Sequence, residues 1–165
     1  MSAIPRLLFV LALVVVPIFI VGTSSGLPDP VASHFGVGGL PNGWMGRDGY
    51  VALMVALSTL LPLFVVAVTG LLPGLALAKA RIANRDYWLA PARRQATRDW
   101  LINNACTMGI ILTLFLAALH ALLLEANALT PVRLPEPPFF AVLAAFVVSL
   151  IVWIAWTRQH FRRPD

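Results

Sequence analysis

Charge is what this sequence has least of: 12% of its 165 residues are Asp, Glu, Lys or Arg, against 59% hydrophobic. That departs far from the roughly half apolar, quarter charged make-up of a soluble domain and excludes one. Cysteine is nearly missing as well. Cys106 stands alone, so no intrachain disulfide can form and the redox compartment cannot be read from it. No His-x-x-x-His or Cys-x-x-Cys spacing offers a metal site, and no G-x-S-x-G or carboxylate pair within an apolar run offers catalysis. A nucleic-acid motif is missing too, and no repeat, linker or low-complexity segment divides residues 1–165, which read as one domain.

What remains is apolar sequence in four charge-free runs, residues 7–21, 51–78, 101–124 and 139–157. Each is near or above the roughly 18 to 20 residues that cross hydrocarbon as helix. Inside lipid every backbone N–H and C=O needs an internal partner, and the runs are far longer than the roughly ten residues of a barrel strand. The expected fold class is therefore all-α, a four-helix transmembrane bundle with spans at about 4–23, 51–78, 101–124 and 138–157. Arg6 before an apolar run and the small residues Gly22-Thr23-Ser24-Ser25 also fit a secretory signal peptide. The first run is nevertheless expected to stay as a span.

Basic residues orient these spans. Arg6, Lys79, Arg81, Arg85, Arg93, Arg94, Arg98, Arg158, Arg162 and Arg163 fall on the side of the termini, and Arg47 and Arg133 on the other. Ten against two places both termini in the cytoplasm. Adding Asp86, Asp99 and Asp165 inside and Asp29, Asp48, Glu125 and Glu136 outside gives +7 and −2, which sum to the formal +5. The basic side is expected to meet anionic lipid headgroups rather than nucleic acid. The five tryptophans lie at run boundaries, Trp44 outside and Trp88, Trp100, Trp153 and Trp156 inside, as interfacial anchors do.

Within the spans, the second is long for the bilayer and contains Pro62, Gly70 and Pro73, so it is expected to kink, tilt or emerge early. Gly70 and Gly74 have the small-xxx-small spacing of a helix dimer face, although Pro73 also suits a helix end. In the third span Asn103, Thr107, Ile110, Thr113, Ala117 and His120 recur every three or four residues and share a face expected to point inward. Interhelical hydrogen bonds account for that face, so His120→Ala is expected to leave the fold intact. The candidate metal ligands His34, His120 and Glu125, with Asp29, Asp48 and Glu136 behind them, lack ligand spacing, and neither metal nor cofactor is expected.

The loop from Asn84 to Arg94 mixes Tyr87 and Trp88 with Arg93 and Arg94, and its Pro91 suits the first turn of the helix entering the third span. It reads as an interfacial collar or a cytoplasmic docking surface. On the outer side, residues 27–50 are dense in turn residues. Glycines 36, 38, 39, 43, 46 and 49 permit positive φ, while Pro28, Pro30 and Pro41 fix turns. An ordered lid is expected there, with Phe35 and Trp44 towards lipid or helix ends. His34 should be its chief polar contact, bonded to loop backbone or to an outer acid such as Glu125.

The ordered set Leu27-Pro28-Asp29, His34-Phe35-Gly36, Gly39, Pro41-Asn42-Gly43 and Trp44, followed directly by a span, resembles the outward loop of one bacterial domain. That domain of unknown function forms the N-terminal half of Sdp-type immunity proteins. The resemblance covers the first two spans and their loop, and Tyr87-Trp88-Leu89-Ala90-Pro91-x-Arg93-Arg94 is similar to short stand-alone members. Gly46-Arg47 stands where the family commonly has Ser-Lys. The resemblance implies a multi-span protein of the bacterial cytoplasmic membrane that protects against a secreted peptide toxin and can signal by sequestering a regulator. The expected function is therefore non-enzymatic contact with a peptide or membrane protein, in immunity, envelope stress or as an accessory subunit. The alternative is a small transporter or membrane enzyme working through Asn103, Thr107 and His120.

Overall fold

The computed structural model describes residues 3–75 and 82–162. In chain order these form helix α1 (Ile4–Thr23), strands β1 (Val31–Phe35) and β2 (Pro41–Met45), and helices α2 (Arg47–Val66), α3 (Leu72–Leu75), α4 (Arg85–Trp88), α5 (Arg94–Ala128) and α6 (Glu136–His160). Four of the helices, α1, α2, α5 and α6, are long and apolar enough to cross a membrane. The end of the second expected span, 76–78, lies outside the described residues, as do Lys79, Arg81, Arg163 and Asp165 of the charge count.

α5 is the axis. At 35 residues it is about 52 Å long, well beyond the roughly 30 Å of hydrocarbon, so both its ends project from the membrane. It packs against α1, α2 and α6, whereas α6 makes its main contacts with α5. α1 turns Phe9, Val16 and Ile20 inward. α2 buries Tyr50, Met54, Ser58, Pro62 and Val66, one residue in every four, which is a single stripe along the helix.

Small residues set the close approaches. A Cβ on Gly109 would stand 2.5 Å from the Phe9 ring and 2.8 Å from Val66, so only glycine lets α1 and α2 close on α5 there. The second span is not α-helical throughout: α2 passes through a π-helical turn, Ala67–Leu71, into α3. Gly70 lies in that turn, flush against Ala105 and the Leu101 carbonyl of α5. The small residue noted for a dimer face is thus spent on packing within the chain.

The segment expected as an ordered loop contains a β-hairpin, which the all-α expectation lacked. β1 and β2 pair antiparallel, Val31 with Met45, Ala32 with Trp44, His34 with Gly43 and Phe35 with Pro41, with irregularities on either side of His34. The turn is closed by Gly36 N–H donating to Leu40 O at 2.8 Å, and Gly38 and Gly39 adopt φ of 75° and 69°, values that favour glycine. Val31 joins Val16, Ile20, Leu27, Tyr50 and Met54 in one apolar cluster. The hairpin is thereby part of the bundle's core.

Candidate functional site

Three groups of side chains stand out, one inside the bundle at the hairpin end, one holding the hairpin, and one at the end of the termini. The first centres on His120, which is fully buried. Its Nε2 lies 2.9 Å from Thr23 Oγ1 on α1, and its Nδ1 lies 2.8 Å from Tyr50 Oη on α2. Thr23 spends its single hydroxyl proton on the Phe19 carbonyl, 2.7 Å away, so Nε2–H donates to Thr23, and in the neutral tautomer that this selects Nδ1 accepts from Tyr50. The bonds form one chain from Tyr50 through His120 and Thr23 to the backbone of α1. Phe19 closes the ring edge-on at 5.5 Å. Both ring nitrogens are satisfied, and three helices are braced.

The second group fastens the hairpin. Asn127, seven residues past His120 on α5, accepts from Ala32 N–H at 2.9 Å and donates to Ala32 O at 3.0 Å, taking the place of a neighbouring strand. Leu134 N–H donates to Gly39 O at 2.8 Å, and Arg133 Nε to Gly38 O at 2.9 Å. At the base, Arg47 donates its backbone N–H to Asp29 and a guanidinium N–H to Leu27 O, both at 3.2 Å. His34 is not the chief polar contact expected of it. It is exposed, its hydrogen bond is to the adjacent Ser33 at 3.1 Å, and Glu125 is an exposed residue of α5 with no hydrogen bond to it. His34 pairs with Gly43 across the hairpin, and its side chain lies against that glycine.

Beside His120, a cavity of about 370 Å³ lies between α2 and α6 with α5 as its floor. Phe35 of the hairpin, Leu53 and Leu57 of α2, Leu119 and Leu123 of α5 and Phe139 of α6 line it, and Ser33 and His34 stand at the hairpin end. Phe35 thus faces helix ends, as expected, while Trp44 is 53% exposed. Pro28 is exposed, Gly39 is buried against Leu134, and Pro41 pairs with Phe35.

At the other end, Arg6 reaches Asp99 Oδ1 at 2.7 Å and Asn103 Oδ1 at 2.8 Å. Asn103 and His120 therefore serve separate sites, 17 residues or about 25 Å apart on one helix, and the shared face does not make one centre. Thr107 bonds back to Asn103 O within the helix. His160 stacks on Trp100 at 3.9 Å and on Trp88 at 4.8 Å. Trp88 Nε1 and Asn84 Nδ2 both donate to Phe161 O, and Arg93 lies 3.9 Å over the Tyr87 ring. Pro91 is not in the first helical turn: Arg93 and Arg94 N–H both bond to Ala90 O, a turn that delays α5 until the exposed Arg94.

Sequence reasoning missed Thr23, Tyr50, Asn127 and the Arg6–Asp99 pair. Asn127 had a signal, since it continues the His120 face by two turns. Among the described residues, no three His, Cys, Asp or Glu side chains converge as metal ligands would. Fold and site define an integral membrane helical bundle with a clamped extramembrane hairpin. No family model, curated protein or solved structure matches the chain.

Proposed function

We propose that the protein is a non-enzymatic component of the bacterial cytoplasmic membrane that acts by contact, presenting its hairpin on the outer face to a peptide or a membrane-protein partner. The observation that carries this reading is the hairpin itself. Fastened at Ala32, Gly38 and Gly39, it still leaves Val37 99%, Leu40 58% and Trp44 53% exposed. A rigid turn bearing apolar side chains beyond the membrane is pre-organised for recognition. The orientation rests on the ten-to-two distribution of basic residues, which also sets a cationic face against anionic headgroups inside. The resemblance of residues 27–44 to the Sdp-type loop favours immunity or envelope stress, with an accessory subunit as the other setting.

A transporter or enzyme working through His120 would need a wet, polar path to that residue. His120 is instead buried with both nitrogens bonded, beside an apolar cavity, which favours contact. Two experiments test the proposal. A reporter fused after Asp165, or inserted between Arg85 and Arg98, should be active only in its cytoplasmic form, and periplasmic activity at either point overturns the orientation. A photoreactive residue at Val37 should give discrete protein or peptide adducts that Trp44→Ala weakens. Adducts no different from those at lipid-facing Ile151 would end the contact reading.

A further inference from the structure

We propose that the cavity between α2 and α6 binds one acyl chain of a glycerophospholipid from the hairpin-side leaflet, with the lipid's phosphate held at the rim by His34 and Arg133. The shape comes first. α5 supplies the floor through Leu119 and Leu123, α2 and α6 supply walls through Leu53, Leu57 and Phe139, and Phe35 roofs the space. Because α6 makes its main contacts with α5 rather than α2, the space opens sideways, towards hydrocarbon. From Tyr50 to Leu57 it descends about 10 Å along α2. Its volume of about 370 Å³ lies at the small end of ligand sites, roughly 300–1,000 Å³, which suits one slender chain.

The distribution of polar groups selects the occupant. The Tyr50 hydroxyl is engaged with His120 Nδ1 at 2.8 Å, so among the described lining residues below the hairpin no polar group is left without a partner. A peptide strand placed there would leave its own N–H and C=O groups unpaired in hydrocarbon, whereas an acyl chain asks for nothing. At the rim the chemistry changes. His34 bonds Ser33 through Nδ1, leaving Nε2 without a partner among the described residues. Arg133, next to the lining residue Leu134, commits Nε to Gly38 O and leaves its two terminal nitrogens without a partner among the same residues. Glu136 begins α6 one turn above Phe139, where it complements a headgroup amine. A guanidinium and a ring nitrogen for a phosphate and an acid for an amine, above an apolar shaft, match a zwitterionic phospholipid.

The test uses the full chain, purified in mild detergent, stripped of lipid and titrated with palmitoyl-oleoyl phosphatidylethanolamine, with adducts counted by native mass spectrometry. One adduct per chain should saturate, and the matching diacylglycerol, which lacks the phosphate, should bind at least several-fold more weakly. Leu119→Trp, which fills the shaft, should lower retention ten-fold or more, and Arg133→Gln should lower it several-fold. Should Leu119→Trp prove misfolded by its melting profile, Leu57→Trp replaces it. Non-saturating adducts, equal retention by a folded shaft-filling variant, or equal binding of diacylglycerol would each overturn the proposal.

Discussion

α5 and α6 are both long and apolar enough to cross a membrane, yet fourteen residues of α5 are buried and none of α6. The difference lies in the residues that interrupt their apolarity. α5 carries Asn103, Asn104, Gly109, Thr113 and His120 into the interior, where each finds a helix to touch or bond. Midway along α6, Ser149 bonds the Ala145 carbonyl of its own helix at 2.8 Å, and the hydrogen bonds to α5 come near the helix end, where Trp153 Nε1 donates to Asn104 O and Thr157 Oγ1 accepts from Asn104 Nδ2, both at 3.0 Å. Lipid tails are as apolar as leucine, so apolarity decides what crosses the membrane, while small and polar side chains decide what sits at the centre.

That contrast can be broken by substitution. Gly109→Leu should have the largest effect, because even a Cβ meets Phe9 and Val66. A loss of about 3 kcal/mol is expected from such overpacking, read as a collapsed melting temperature in detergent, whereas Ala144→Leu on the exposed face of α6 should leave melting unchanged. Next comes His120→Ala. The four spans should stay inserted, but removing an imidazole that joins three helices leaves the Tyr50 hydroxyl without its acceptor, at about 2 kcal/mol. Tyr50→Phe and Thr23→Val should each cost about 0.6 kcal/mol, and a double-mutant cycle with His120→Ala should show coupling. Additive losses would mean that α5 is central through packing alone.

Smaller effects are expected at the rim. Asn127→Leu should cost about 1 kcal/mol, felt locally as faster proteolysis between Gly36 and Leu40 with the spans intact. His34→Ala should alter that cleavage far less, since Ser33 is its hydrogen-bond partner. The reverse order would restore His34 as the hairpin's main fastening. Ser149→Ala, the smallest change, should stay within about 0.5 kcal/mol, and a larger loss would assign α6 an interior role.

Much of this fold was legible because membrane helices announce themselves by length. The first expected span, about 4–23, coincides with α1 (Ile4–Thr23), and the others lie within or beside α2, α5 and α6. The long second run, with Pro62, Gly70 and Pro73, was expected to kink, tilt or emerge early, and a π-helical turn interrupts its α-helix at Ala67–Leu71. The strands were not legible. Val31 to Phe35 is too short for periodicity to separate from turn sequence, and β2 opens on a proline and holds a glycine at its centre. The polar partners escaped for another reason: Thr23 and Tyr50 sit at helix ends where polar residues are ordinary, and only the crossing of three helices brings them to His120. The expectation for His34 failed because a hairpin pairs residues across strands, and the partner opposite was a glycine.

Both ends of α5 are tied down. Thr97 Oγ1 donates to Trp88 O at 2.8 Å at one end, and Asn127 grips Ala32 at the other, with Gly109 pressed against Phe9 and Val66 near the midpoint. Packed along its length against α1, α2 and α6, the helix works as a tie rod: one continuous element sets how far the hairpin stands from the Trp88 segment.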